Sequence, residues 1–420
     1  MSVTDEHAVD FDHHSDEFFE ERRALWAGLR QRCPVAHNSR YGGFWVVSGY
    51  DEVAAVARDG ATYSSRYVRE SDDGIDYLGI TGIPRAKHVP TAGIAEVEGP
   101  VHVALRRVMN PFLVPNAVEA LRPLMRDTAA WFLDQYIESG AMDVVTDFAS
   151  PVPAVLTMAL VGLPLDSWQH YAELFHAVVA HDPSDPASRA ALAHAPEMLA
   201  ELGEAAEDRR SHPRDDLLTA LVQLRVEDDR PLCEDELRAV LWNLVGGGLD
   251  TTTSLTSLTL HHLEGHPEQR QALIDDPDLL SRATEEFLRY FPVNETLTRT
   301  VVQDAELGGL SLRRGDHLLL SWLSANRDGA VFDRPDEVVL DRERNQHLAF
   351  GVGPHRCIGM HLARVMFQVL IGEVLARIPD YVVDQEATTF YAANPELNGI
   401  VRMPVTFTPG PRTGPAGRPF

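Results

Sequence analysis

Cysteine is scarce, with three in 420 residues. Cys33, Cys233 and Cys357 are too few and too scattered for a disulfide framework, and no C-x-x-C pair is available for a structural zinc. Such usage fits a reducing cytosol, so a cytoplasmic protein is expected. Basic charge is also short: 37 Lys and Arg face 63 Asp and Glu, for a net charge of −26. That balance disfavours wholesale binding to nucleic acid or to an anionic membrane. Long apolar runs are missing as well. The most apolar stretch, Pro151 to Leu165, is interrupted by prolines and too short to span a bilayer. The N-terminus, MSVTDEHAVDFDHHSDEFFEERR, is acidic and has no apolar segment behind a basic start, so neither a signal peptide nor a membrane anchor is expected.

What is present is a hydrophobic fraction of 44%, ample for a large core. No internal repeat, interdomain linker or second catalytic module stands out. Tyr41 to Ser48 has strand character, and Asp51 to Arg58 follows with a helical pattern. From Pro115 the pattern is mainly helical, over Ala117 to Ser139, Pro153 to Val161, Asp166 to Ala180 and Ala187 to Arg210, the last broken or kinked at Pro196. A long helix is expected over Glu234 to Gly265. Short strands are expected around Leu297 to Val302 and His317 to Ser321, and a final helix from Cys357 to Ile378. Residues 1–18, with His13 and His14 as solvated residues, read as a flexible acidic head, and 409–420 (PGPRTGPAGRPF) as a disordered tail.

The segment Phe350 to Gly359 reads FGVGPHRCIG. Glycines at 351, 353 and 359 permit a tight curl, and turn amides together with Arg356 would stabilise a thiolate on Cys357 and lower its pKa. Cys33 and Cys233 read as ordinary small buried residues. The string resembles the haem-binding loop of the cytochrome P450 family, F-G-x-G-x-H-x-C-x-G, with Phe350 at its start. Iron in haem is a metal that a single thiolate serves well.

Four further motifs occur in the order that the resemblance implies. Gly246 to Thr253 contradict helix propensity in the middle of a patterned helix, a sign of a close ligand approach. Gly247 and Gly248 would let a flat cofactor approach the backbone, and GGLDTT resembles the family's oxygen-activating segment, which makes Asp250 and Thr251 the implied proton relay. Thr252 could share that work. Glu286 and Arg289 form an ExxR pair in apolar surroundings, and the resemblance adds Arg342 as the third member of a lock on the loop before the cysteine. His102 and Arg106 lie at i and i+4. With Arg299 and His355 they match the family's partners for the haem propionates.

The resemblance covers nearly the whole chain after the head. It implies a mainly α fold with small β-sheets, a single-domain helical prism over 19–408. It also implies a monooxygenase that uses haem b, dioxygen and NAD(P)H-derived electrons to put one oxygen atom into a substrate. A ferredoxin and its reductase are the expected donors to a monomer, with Arg107, Arg344, Arg356 and Arg364 as a basic dock. Substrate contacts are expected from Tyr77 to Pro84, notably Leu78 and Ile80, from the hinge between Leu160 and Ala190, and from Leu244, Gly247, Gly248, Val293, Asn294 and Leu297. Asn398 to Val401, with Ile400, complete a largely apolar set. These suit a hydrophobic small molecule, whether terpenoid, steroid, fatty acyl or aromatic. A peroxide-driven enzyme on the same fold would not need the Asp250 and Thr251 relay. A haem sensor or electron carrier would bind ligands without oxygenating them.

Overall fold

The computed structural model describes residues 7–68, 70–85, 91–181, 185–391 and 396–420. Two apolar assemblies meet in it. The larger joins the helices between Gly99 and Arg377, among them Pro151–Val161, Trp168–Ala180, Leu280–Tyr290 and Met360–Arg377, around the long helix Glu234–Glu264. The smaller surrounds a six-stranded sheet with spatial order Ala8–Val9, Val35–Asn38, Phe44–Val47, His317–Ser321, Thr296–Val301 and Tyr63–Ser64. Phe44–Val47 runs parallel to His317–Ser321, with Val46 opposite Leu319, and Thr296–Val301 pairs antiparallel on the other side. Pairing an early strand with a late one ties the two ends of the chain together.

Most expected elements occur, with boundaries moved by local chemistry. The segment after Pro115 is two helices, Pro115–Ala120 and Arg122–Asp134, because Pro123 favours a helix start. The Pro196 break separates Pro186–Leu192 from Ala195–Ser211. The last helix begins at Met360, after the cysteine, with Gly359 as its cap.

The long helix continues without interruption through its glycines and threonines. Hydroxyl groups bond back along it, from Thr251 Oγ1 to the Gly247 carbonyl at 2.9 Å, from Thr253 to Leu249 and from Ser257 to Thr253. Buried leucines at 249, 255, 258, 260 and 263 supply packing that outweighs propensity. The three consecutive glycines have three different surroundings. A Cβ on Gly246 would lie 2.5 Å from the Phe175 ring and one on Gly248 2.6 Å from Thr157 Oγ1, whereas one on Gly247 would meet nothing within 4 Å. Only Gly247 therefore borders open space. Gly248, expected to line the pocket, instead lets the helix seat against Pro151–Val161.

Both chain ends differ from their compositional reading. His13 is fully buried, with its ring 4.2 Å from His14, 5.3 Å from Tyr41 and 5.2 Å from Phe44. Phe11 and Phe18 pack on Trp26, so this part of the head is docked, and burial lowers the His13 pKa to about 4. Residues 1–6 of the expected flexible head lie outside the described residues. Residues 409–420 run back over Arg122–Asp134. Phe420 stacks on Phe132 at 5.8 Å, and the Gly414 amide donates to Asp134 at 2.8 Å.

The glycine geometry has a direct test in melting temperature. Gly248→Ala should destabilise the fold by about 1–3 kcal/mol through overpacking. Gly247→Ala should be neutral or stabilising by up to about 1 kcal/mol from helix propensity. Equal melting shifts in the two variants would refute the packing described.

Candidate active site

The Glu286 and Arg289 side chains are both fully buried. Arg289 donates to the carboxylate through Nε (2.9 Å) and Nη2 (2.8 Å) and spends its remaining hydrogens on the carbonyls of Asn326, Pro335 and Glu337. Arg342 donates to the same carboxylate at 2.8 and 3.1 Å. Asn345 Nδ2 and the Val339 amide add bonds at 3.0 and 2.8 Å. Burial pushes the Glu286 carboxyl up, but the bonds from Arg289 and Arg342 outweigh it and hold the group below the usual range. Asn326 Oδ1 in turn accepts from the Leu348 amide at 2.6 Å, which carries the lock to the loop before the cysteine.

In that loop the Cys357 amide donates to the Phe350 carbonyl at 2.8 Å, and Gly351 and Gly353 take φ of 65° and 83°. A Cβ on Gly353 would lie 2.4 Å from the Ala57 carbonyl oxygen, so the loop is pressed onto the Tyr50–Arg58 helix. Arg364 lies 4.6 Å from the Phe350 ring centroid. Burial raises the Cys357 thiol pKa, against the lowering effects of the Gly359 amide and of Arg106, Arg364 and Arg356. The expected lowering is thus overridden by desolvation. The Cys357 side chain is nonetheless accessible, so a sulfur lodged among protein atoms still fronts open space. A coordinated metal would remove its proton outright.

Four cation-forming side chains gather beside this loop. His102 and His355 have ring centroids 4.4 Å apart, and Arg106 Nη1 donates to the Arg356 carbonyl at 2.9 Å. Arg299 is buried, bonds to the Thr298 carbonyl at 2.7 Å, and has no carboxylate within ion-pair distance among the described residues. Burial lowers the pKa of all four, to about 10 for Arg299 and about 3 for His355, which also feels the charges of His102, Arg299 and Arg106. His102 Nε2 and His355 Nδ1 are buried with no hydrogen-bond partner. Unpartnered buried ring nitrogens, donors in the tautomer that protonates them, beside a guanidinium without an ion pair fit a polyanion, such as the two carboxylates of haem. His355 Nε2 meets Ser65 Oγ at 2.8 Å, with Glu98 at 3.9 Å, a bracing pair absent from the motif.

On the long helix, Gly247 is open and Thr251 is partly exposed, one turn apart. Asp250 is 5% exposed and is not bonded to Thr251. Its carboxylate accepts from His176 Nδ1 at 2.8 Å, from the Tyr391 hydroxyl and from Ser254 Oγ at 3.4 Å. Nothing in the GGLDTT run hints at His176 or Tyr391, which reach it from distant elements. Of the expected pocket residues, Ile80, Leu244, Asn294 and Leu297 keep partial exposure, while Val293 is largely buried. Ile400 is fully buried, and Leu78, also partly exposed, packs on the cluster around Trp26. Residues 182–184 of the expected hinge lie outside the described residues.

The model for the family described as Cytochrome P450 matches residues 189–379. The chain is 32% identical over 373 residues to mycinamicin IV hydroxylase/epoxidase of Micromonospora griseorubida, covering 86% of this chain and 89% of that protein. The chain belongs to the cytochrome P450 family. It is also 29% identical to 6-deoxyerythronolide B hydroxylase of Saccharopolyspora erythraea, over 93% of this chain and 97% of the relative. The solved structure of a mutant of P450 EryK with erythromycin B superposes with a TM-score of 0.81 at 28% identity, covering 96% of this chain and 99% of that one. As a P450 the protein is a haem-thiolate monooxygenase, using haem b, dioxygen and NAD(P)H-derived electrons brought by partners, and it acts on small molecules. No helix among its described residues is long and apolar enough to cross a membrane.

Arg364, expected in a docking patch, is already engaged. It donates to Glu285 at 2.6 and 2.7 Å, and His347 Nε2 meets the same carboxylate at 3.1 Å. Burial pushes the Glu285 carboxyl up, but the bonds from His347 and Arg364 prevail and lower its pKa from 4.5 to about 2. A depressed carboxylate stabilises the fold above its unfolded pKa and loses that contribution as pH falls through the folded value. Acid unfolding should therefore weaken the protein between pH 4.5 and about 2. Unfolding midpoints measured across that window should fall less steeply in Glu285→Gln than in the parent; identical slopes would exclude the pair as a source.

Proposed function

We propose that Cys357 would supply the thiolate ligand of haem b and that His102, Arg106, Arg299 and His355 would hold its propionates. The observation that carries this reading is the cluster of four cation-forming side chains in which His102 Nε2 and His355 Nδ1 are buried without partners, joined to the cysteine loop through Arg106. Bound haem supplies the iron at which dioxygen is activated, and the thiolate donates electron density that favours O–O cleavage. The chain supplies placement and protons. The Glu286, Arg289 and Arg342 lock fixes the loop, and Gly247 leaves the helix backbone open to the ligand. Thr251 presents a hydroxyl at the groove, and Asp250 is the ionisable group next to it along the helix, a pair suited to passing protons inward.

The substrate is a hydrophobic small molecule, met by Ile80, Leu244 and Leu297 and oriented by few polar groups such as Asn294. The two relatives are named for oxidising 6-deoxyerythronolide B and mycinamicin IV, which supports a small-molecule substrate here. A ferredoxin is the electron donor to a cytoplasmic monomer, docking where Arg107, Arg344 and Arg356 are exposed on an otherwise acidic surface.

The deciding experiment is the visible spectrum of the reduced, carbon monoxide treated protein while hydrophobic compounds are screened for spin-state shifts. A red-shifted Soret band lost in Cys357→His is expected; its retention in that variant would reject the thiolate. With a compound so identified, Thr251→Ala should lower product formed per dioxygen consumed by a factor on the order of 10². Fully coupled turnover in that variant would reject the relay.

A further inference from the structure

A recess opens at the C-terminal end of the long helix. It has a volume of about 360 Å³ and lies where the helices Asp16–Arg32, Glu234–Glu264 and Leu280–Tyr290 meet the hairpin strand Thr389–Phe390. Neither the cysteine loop nor any of His102, Arg106 and Arg299 lines it, and of the residues proposed to meet substrate, Ile80, Leu244, Asn294 and Leu297 are absent from it. A cavity of that size suits a small molecule. A protein partner would need about 800 Å² of surface on each side.

The charge of the recess runs against that of the chain. Acidic residues outnumber basic ones 63 to 37, yet no Asp or Glu lines it among the described residues, whereas Arg22 and Arg23 do. Arg22 is spent on Glu295, at 2.7 and 3.3 Å. Arg23 is exposed, makes no ion pair among the described residues, and stands 5.7 Å from the Tyr290 ring centroid. Arg327 stands 4.2 Å from the same ring. It is 3% exposed, its Nη1 is buried without a hydrogen-bond partner, and Asp336 reaches only its Nε, at 3.7 Å. Burial, and after it the charge of Arg23, lower the Arg327 pKa to about 10. Two guanidinium groups that repel each other beside one tyrosine leave a positive potential that an anion in the recess would relieve.

The other walls are rings. His262 stacks on His266 at 3.9 Å and lies 5.9 Å from Tyr290 and 5.6 Å from Phe291. Burial lowers the His262 pKa to about 4, so this ring is neutral and serves as an aromatic surface. Phe390 is 51% exposed, one of few large apolar side chains left on the surface, and stands 5.5 Å from His261. Ring faces gathered around one cavity favour a flat aromatic ligand.

We propose that this recess is a second ligand site, for a small aromatic carboxylate whose ring lies among Tyr290, His262 and Phe390 and whose carboxylate meets the Arg23 guanidinium. Binding there needs neither haem nor substrate. The site is nonetheless a neighbour of the substrate-facing chain, because Asn398 lines it and donates its backbone amide to the Val293 carbonyl at 2.9 Å, while Asn294 pairs with Leu397.

The test uses the holoprotein and 6-bromonaphthalene-2-carboxylate. In calorimetry the acid should bind, and the neutral carboxamide of the same ring should bind roughly tenfold more weakly or worse. Arg23→Glu should weaken the acid by a similar factor and leave the reduced, carbon monoxide treated spectrum unchanged. Phe390→Ser should weaken acid and amide alike. In crystals grown with the acid, the bromine anomalous peak should lie in the recess beside Tyr290. Absence of binding up to about 1 mM would overturn the site. Equal affinities of acid and amide for the parent protein would overturn the role of Arg23, even if both variants fail to fold. A bromine peak only beside the cysteine loop would also overturn the proposal. Rejection of the Cys357 thiolate would leave all of these readings standing, so the two failures are distinguishable.

Discussion

The buried Glu286 carboxylate is the point on which the site hangs. Two guanidinium groups, one side-chain amide and one backbone amide converge on it. The buried charge is worth keeping in the interior because all five Arg289 hydrogens find acceptors. Arg289 uses its other donors on carbonyls from three separate positions, so a helix and a long irregular segment share a single hub. The cysteine loop begins where that segment ends, and its turn is closed by glycines pressed against another helix. Irregular backbone thereby acquires the rigidity that regular secondary structure would otherwise provide.

The same molecule handles charge in the opposite way a few residues along. Around His102, Arg106, Arg299 and His355, four cation-forming groups are assembled with Glu98, 3.9 Å from His355, as the nearby carboxylate, and burial depresses the pKa of every one. The Glu286 and Arg289 pair, with its hydrogens satisfied, suits an architectural role, and the cluster with unpartnered ring nitrogens suits the ligand binding proposed for it. The contrast separates the two roles more sharply than motif spacing does.

Much of this was legible in the sequence where the chemistry is local. The cysteine loop, the ExxR pair, and the paired His102 and Arg106 are carried by short spacings, Arg342, 56 residues from Glu286, came through the family resemblance, and the helical pattern located most of the helices. Polar partners that arrive singly from distant elements were not legible. His176 is 74 residues from Asp250 and Tyr391 is 141, and neither sits in a run that marks it. Asn345 and the Ser65 and Glu98 brace were hidden for the same reason. Gly248 misled because composition cannot say which way a glycine faces, and His13 because an acidic, histidine-rich head looks solvated until its aromatic neighbours are seen to dock.

The triplet of glycines in the long helix also bears on redesign. Two of the three are filled from behind by Phe175 and Thr157, so the helix cannot recede to admit a larger ligand or accept side chains there without moving its neighbours. If the proposed site is right, its floor is fixed by this packing, and changes of substrate preference would come from the proposed contacts Ile80 and Leu297 and the chain around Asn398, which stand on short loops and strand ends. Mutational libraries directed at those segments would vary the shape of the chamber while leaving the oxygen-handling surface untouched.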